Sequence, residues 1–176
     1  AITATCRTAG KQDAAAIWTL VRDSAVLDLN SAYLYLLLCT DFADTTVVVE
    51  CSGQLQGFVS GYRPPGRPDT LFLWQIGVAR AARGRGLGKT LVRAFLSAPG
   101  SRGAQRLETT IAPGNVASLA LFQGIARDLG ARMERSGGFL ETDFPTTPEG
   151  HDPEPRYCIH PLPDHSIHQD TLNLTR

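Results

Sequence analysis

Arg83-Gly84-Arg85-Gly86-Leu87-Gly88-Lys89-Thr90 is the stretch whose residue types and spacing point most directly to chemistry. Three glycines in five residues take away the Cβ atoms that would hold a ligand off the backbone. Behind them, Lys89 to Ala98 carries Leu91, Val92, Phe95 and Leu96 at helical spacing. In front of them, Leu71 to Val78 is apolar enough for a buried strand. A strand, a glycine loop and a helix start together aim free N–H groups and the positive end of a helix dipole at an anion. The expected anion is a pyrophosphate.

Two nucleotide loops nearly fit and both fail. A P-loop needs a glycine five positions before Gly88, where Arg83 stands. The dinucleotide fingerprint accepts Gly84 and Gly86 and then meets Lys89 in place of its third glycine. The pattern [RQ]-x-x-G-x-[GA] does fit, as Arg83-x-x-Gly86-x-Gly88. It resembles the acetyl-CoA signature of the GCN5-related N-acetyltransferases (GNAT), whose loop holds the coenzyme A pyrophosphate. An ordinary strand-to-helix turn under a basic surface is the alternative.

The strand, loop and helix need a domain around them. A chain of 176 residues with 43% hydrophobic residues suits one domain with one sizeable core. Seventeen basic residues balance seventeen acidic ones, so no overall field favours nucleic acid or a membrane. Locally, Arg80, Arg83, Arg85, Lys89 and Arg93 gather around the glycine loop. Cys6, Cys39, Cys51 and Cys158 form no CxxC pair and read as reduced thiols in the cytoplasm. No apolar run approaches a membrane span. The start at Ala1, without methionine, reads as a trimmed start.

Strands are expected at Thr3 to Arg7, Thr45 to Cys51, Gln54 to Tyr62, Thr70 to Val78 and Gln105 to Ile111, and last ones within Gly130 to Arg135 and Arg156 to Ile159. Helices are expected at Asp13 to Arg22, from an Asn30 or Ser31 cap to Cys39, after the glycine loop, and at Asn115 to Leu129. Arg63 to Pro68 must be a loop. Ser136 to Pro155, rich in Gly, Pro and acidic residues, is expected as a long loop. Residues 162–176 are expected as a mobile tail after a single domain over residues 3–161.

This order matches the GNAT fold: an α/β, mixed, mostly antiparallel sheet of about six to seven strands with about four flanking helices, splayed after the fourth strand. Leu27–Thr45, Gly57–Val78, Leu107–Thr110 and the His151-Asp152-Pro153-Glu154 end resemble more closely the diaminobutyrate acetyltransferases, the ectoine-pathway branch of that superfamily. The resemblance runs from Arg7 to Pro161. It implies acetyl transfer from acetyl-CoA to the γ-amino group of the small diamino acid L-2,4-diaminobutyrate, by a homodimer with no metal. Other small amines, a protein N-terminus, or a non-catalytic acetyl-CoA sensor remain as alternatives.

An amine attacks a thioester only when unprotonated, and an alkyl ammonium has a pKa near ~10. The site therefore needs a proton acceptor, and donors for the developing oxyanion. The superfamily resemblance implies that the main chain at Ile76-Gly77-Val78 supplies those donors, with Gly77 tolerating a bulge. Arg83, Gly84, Arg85, Gly86, Leu87, Gly88 and Lys89 would hold the pyrophosphate. Asp28, Tyr33 and Trp74 are candidates for holding the amine, with helix capping and core packing as their plain roles. Glu108 is a candidate base through water, with a structural hydrogen bond as the alternative. The resemblance adds His151 for the substrate carboxylate and Glu154 for an amino group. Asn115, Ser118 and Phe122 follow the superfamily's Asn-x-x-[AS] pattern and are expected against the coenzyme, with Phe122 standing where a tyrosine acid often stands. No general acid is assigned. His165 and His168 make too small a set for zinc.

Overall fold

The computed structural model describes residues 4–164. Seven strands form one sheet: β1 Ala4–Thr8, β2 Thr46–Cys51, β3 Gln54–Tyr62, β4 Thr70–Val78, β5 Arg106–Thr110, β6 Arg132–Phe139 and β7 Glu154–His160. Their order across the sheet is β1-β2-β3-β4-β5-β7-β6. Every neighbouring pair is antiparallel except β4 and β5. Four helices flank it: α1 Ala14–Ser24, α2 Ala32–Leu38, α3 Leu87–Leu96 and α4 Val116–Leu129.

Both faces of the sheet are covered at β2, so its valines run without polar interruption. Val48 enters the core under α1 and α2 with Ile17, Val21, Tyr35 and Phe58. Val47 and Val49 enter the opposite core with Leu91 and Phe95 of α3 and Phe122 and Ile125 of α4. The helical spacing read for α3 is the buried face of that helix: Leu91, Val92, Phe95 and Leu96 are all 3% exposed or less. Each such side chain contributes about 1.5–3 kcal/mol by leaving water.

Local signals set the ends. Ser31 caps α2, its Oγ accepting from the Leu34 N–H at 3.3 Å. Asp28 is therefore no helix cap. Asn115 caps α4, with Oδ1 accepting from the Ser118 N–H at 3.1 Å, and Gly130 ends that helix at φ 63°. The first strand is tied to α1 through Asp13, which accepts from Arg7 at 2.7 and 2.9 Å and from the Gly10 N–H at 2.8 Å.

The parallel pair is short. It runs from Thr70↔Arg106 to Phe72↔Glu108, while β4 continues to Val78 alongside β3. Beyond Phe72 the two strands part, which is the splay expected after the fourth strand.

Three expectations are corrected. The segment read as a loop from Ser136 belongs in part to β6, which crosses a register break between Arg135 and Gly138 and ends with Phe139 opposite Glu154. The last strand starts at Glu154 rather than Arg156. Leu162, placed in the tail, is 8% exposed in the core, and its N–H bonds the Gln105 carbonyl at 2.9 Å. Thr3 and the tail histidines His165 and His168 lie outside the described residues. All four cysteines are free and buried, and burial pushes the Cys6 and Cys39 thiols up to about 11. Among the described residues no helix is long and apolar enough to cross a membrane.

Candidate active site

The glycine loop leaves β4 through a short 3-10 turn at Arg80–Ala82 and enters α3 at Leu87. Gly84 and Gly86 sit at φ 74° and 80°, and Gly86 is the left-handed N-cap of α3. A Cβ built on either would meet nothing within 4 Å, so the space before the loop is open. Among the described residues, no protein acceptor takes the N–H of Gly84, Arg85, Gly86, Leu87 or Gly88. Five unpaired donors at a helix start suit a diphosphate.

The side chains around the loop divide. Arg85 is exposed and Leu87 is buried in the core, so Leu87 has only its main chain to offer. Arg83 Nε bonds the Val78 carbonyl at 3.2 Å, on the edge that β5 has left. Lys89 Nζ is 3.0 Å from Asp128 and Arg93 is 2.8 Å from the same oxygen. Hydrogen bonds from Lys89 first, then Arg93, hold the Asp128 carboxyl below its ordinary value. The Lys89 ammonium is thus directed to α4 and not to the loop.

Where β4 parts from β5, the strand carries a bulge, but not at the glycine expected. Ser60 pairs with Gln75 and Gly61 with Leu73, leaving Trp74 without a partner. The bulge resets the alternation of β4: Phe72 and Trp74 face one side, and Gln75 follows on that side too. Gly77 has a packing role instead. A Cβ there would lie 2.9 Å from Leu27 Cδ1 and 3.0 Å from Phe58 Cε1. Ile76 and Val78 turn their side chains against the α3/α4 core, so only the main chain of Ile76-Gly77-Val78 can serve a ligand on the open edge.

A cavity of about 870 Å³ opens at this divergence. Asp28, Trp74, His151 and Glu154 line it, as does Asn115 at the start of α4. Four elements therefore bring the sequence candidates together: the α1–α2 segment, the bulge of β4, the α4 N-terminus and the loop entering β7. The Asp28 carbonyl accepts from Gln75 Nε2 at 2.9 Å, and the residue is exposed. Tyr35 Oη bonds Gln75 Oε1 at 3.2 Å from the core side. His151 stacks on Phe144 at 3.7 Å and 7°, and its Nδ1 donates to the Asp152 carbonyl at 2.6 Å.

Three candidates stand elsewhere. Tyr33 is 68% exposed and is not part of the cavity wall. Glu108 is 6% exposed and also absent from that wall. Arg67 lies 3.0 Å from its Oε1 and 2.8 Å from its Oε2, with the N–H angled to Oε1, and Arg156 is 3.8 Å away. Glu108 is thus hydrogen-bonded to Arg67 and shares only charge with Arg156, outside the cavity wall. Phe122 is 1% exposed within the α3/α4 core, so it packs the core and offers a coenzyme no surface.

The profile of the Acetyltransferase (GNAT) family matches residues 14–125, from the start of α1 into α4 and across the glycine loop. The chain belongs to this acetyltransferase family. Among GNAT proteins it is 49% identical to the L-2,4-diaminobutyric acid acetyltransferase of Streptomyces coelicolor over 152 residues, covering 85% of this chain and 88% of the relative. It is 47% identical to the enzyme of the same description from Nocardia farcinica over 150 residues, covering 85% and 76%. A solved structure of the diaminobutyrate acetyltransferase EctA from Paenibacillus lautus, in complex with its substrate L-2,4-diaminobutyric acid and coenzyme A, is similar at 35% identity. It superposes with a TM-score of 0.87, covering 92% of this chain and 96% of that one.

Sequence reasoning missed part of this GNAT cavity. Tyr62, Phe72, Gln75, Thr110, Phe139, Phe144, Asp152 and Arg156 also form its wall. Most come from strands whose facing depends on a bulge or a register, and neither is visible in a linear pattern.

Proposed function

We propose that the chain moves the acetyl group of acetyl-CoA to the γ-amino group of L-2,4-diaminobutyrate, giving the N-γ-acetyl precursor of ectoine. The observation that carries this reading is the charge of the cavity wall at the strand divergence. Asp28, Asp152 and Glu154 offer three carboxylates around Trp74. A substrate with two ammonium groups fits such a wall, and the similarity to relatives described as acting on this diamino acid supports it.

Acetyl-CoA would supply the thioester. The N–H groups of residues 84–88 would hold its diphosphate, and the open edge of β4 at Ile76-Gly77-Val78 would offer donors to the acetyl carbonyl. The cavity's part is to fix the diamine and take a proton from it. Asp28 and Glu154 are the proposed acceptors, since Glu108 is occupied by Arg67. Trp74, 38% exposed, would wall the alkyl chain and keep water away. Asn115 and Ser118 would meet the coenzyme from the α4 side.

A homodimer belongs to the same proposal. Val26, Leu29, Tyr33 and Leu36 are exposed on α2 and the segment before it, an apolar surface that a second copy would cover. Light scattering that gives a single-chain mass at assay concentration would remove this part.

Acetyl transfer to equal concentrations of L-2,4-diaminobutyrate, ornithine and lysine tests the substrate. The expected kcat/KM for diaminobutyrate is at least about tenfold higher than for either longer homologue. Equal rates for the three would overturn the assignment, and binding of acetyl-CoA with no transfer to any amine would favour a sensor.

A further inference from the structure

Arg156 stands on β7 opposite Thr110 of β5, and both line the cavity. Among the described residues it is the one arginine or lysine in that wall. Its guanidinium lies between two aromatic rings, 5.8 Å from the centre of Phe72 and 5.6 Å from that of Phe139. Its side chain is 22% exposed. A guanidinium carries five N–H donors in a planar fork. None of them meets a hydrogen-bond acceptor among the described residues, and Nε is buried without one. The nearest anionic atom, Glu108 Oε2, is 3.8 Å from the terminal nitrogen, beyond hydrogen-bond length.

A half-buried arginine normally spends its fork on carboxylate or phosphate. Here Glu108 turns its hydrogen-bonding geometry to Arg67 and shares only charge with Arg156. The two aromatic rings lie within cation–π range of the guanidinium, and Glu108 adds an opposite charge 3.8 Å away. What remains is an oriented cation facing a cavity otherwise rich in carboxylates. We infer that Arg156 binds the α-carboxylate of the acceptor and so makes the enzyme select a diamino acid over a plain diamine. This rests on the diaminobutyrate reading above and assigns the substrate's third charge within it. His151, suggested for that carboxylate by resemblance, has Nδ1 committed to the Asp152 carbonyl and its ring to Phe144.

The test compares L-2,4-diaminobutyrate with 1,3-diaminopropane, the same chain without the carboxylate, in wild type, Arg156→Gln, Arg156→Lys and His151→Gln. Wild type should prefer the amino acid by roughly 100-fold in kcat/KM, and Arg156→Gln should collapse that preference to within about threefold. The loss should fall on the KM for diaminobutyrate, with the KM for acetyl-CoA unchanged and diaminopropane turnover kept. Arg156→Lys, with charge but no fork, should recover part of the preference. A preference that survives Arg156→Gln, or disappears only in His151→Gln, overturns the inference while leaving the function intact. Wild type that acetylates neither compound overturns the functional reading itself. If Arg156→Gln fails to fold, retention of full preference by Arg156→Lys overturns the fork's role and an intermediate preference supports it.

Discussion

Gly86→Glu should leave the protein folded and weaken acetyl-CoA binding by roughly 100-fold or more, equivalent to about 3 kcal/mol. Two effects combine. Gly86 is the N-cap of α3 at φ 80°, a conformation that costs an L-residue about 1–2 kcal/mol. The new carboxylate would also enter the open space before the loop, where nothing lies within 4 Å of the added Cβ. There it would take the unpaired N–H donors itself and repel a diphosphate. Gly86→Ala separates the two, since it carries the strain without the charge and should lose little affinity. Titration calorimetry with acetyl-CoA, alongside thermal melting, reads both. Unchanged affinity in Gly86→Glu would mean that the loop does not hold the coenzyme.

Gly61→Ala should be severely damaging, destabilising by roughly 3 kcal/mol or more and leaving little folded protein. Its Cβ would sit 2.2 Å from the Phe72 carbonyl oxygen and 2.5 Å from the Phe95 ring. The first is backbone of the neighbouring strand and the second is a core side chain, so neither can swing away. The strain falls where Gly61↔Leu73 borders the Trp74 bulge. Any protein that survives should therefore have lost the facing of Trp74 into the cavity. Gly77→Ala is the control: its close neighbours are side-chain atoms of Leu27, Leu20 and Phe58, which can shift, so about 1 kcal/mol is expected. Urea denaturation distinguishes them. Equal stability of Gly61→Ala and wild type would contradict the register of β3 and β4.

The parts legible in the chain are those encoded locally. The glycine loop announces itself because left-handed glycines and a helix start are neighbours in sequence. Strand β4 matches its expected bounds because both its faces are covered and it reads as one apolar run. Ser31, one of the two cap candidates beside Asn30, is legible for the same reason. What stayed hidden depends on partners far away in the chain. Glu108 reads as a base until Arg67, brought beside it by the β4–β5 pair, donates to its Oε1. Phe122 occupies a motif position yet points into the core. The second half of β6, from Ser136, reads as loop because Gly137 and Gly138 carry it through φ 91° and 120° at its register break. The shift of Trp74 and Gln75 to one side follows from a bulge that β3 imposes, and no period in β4 itself reveals it.

Regiochemistry tests the central claim most directly. The purified protein is incubated with carbonyl-13C acetyl-CoA and L-2,4-diaminobutyrate, and the product is followed by long-range carbon–proton NMR. The account predicts one amide whose labelled carbonyl correlates with the methylene protons at C4, on the γ nitrogen. A correlation with the α proton, or no labelled amide while acetyl-CoA stays intact, would contradict it.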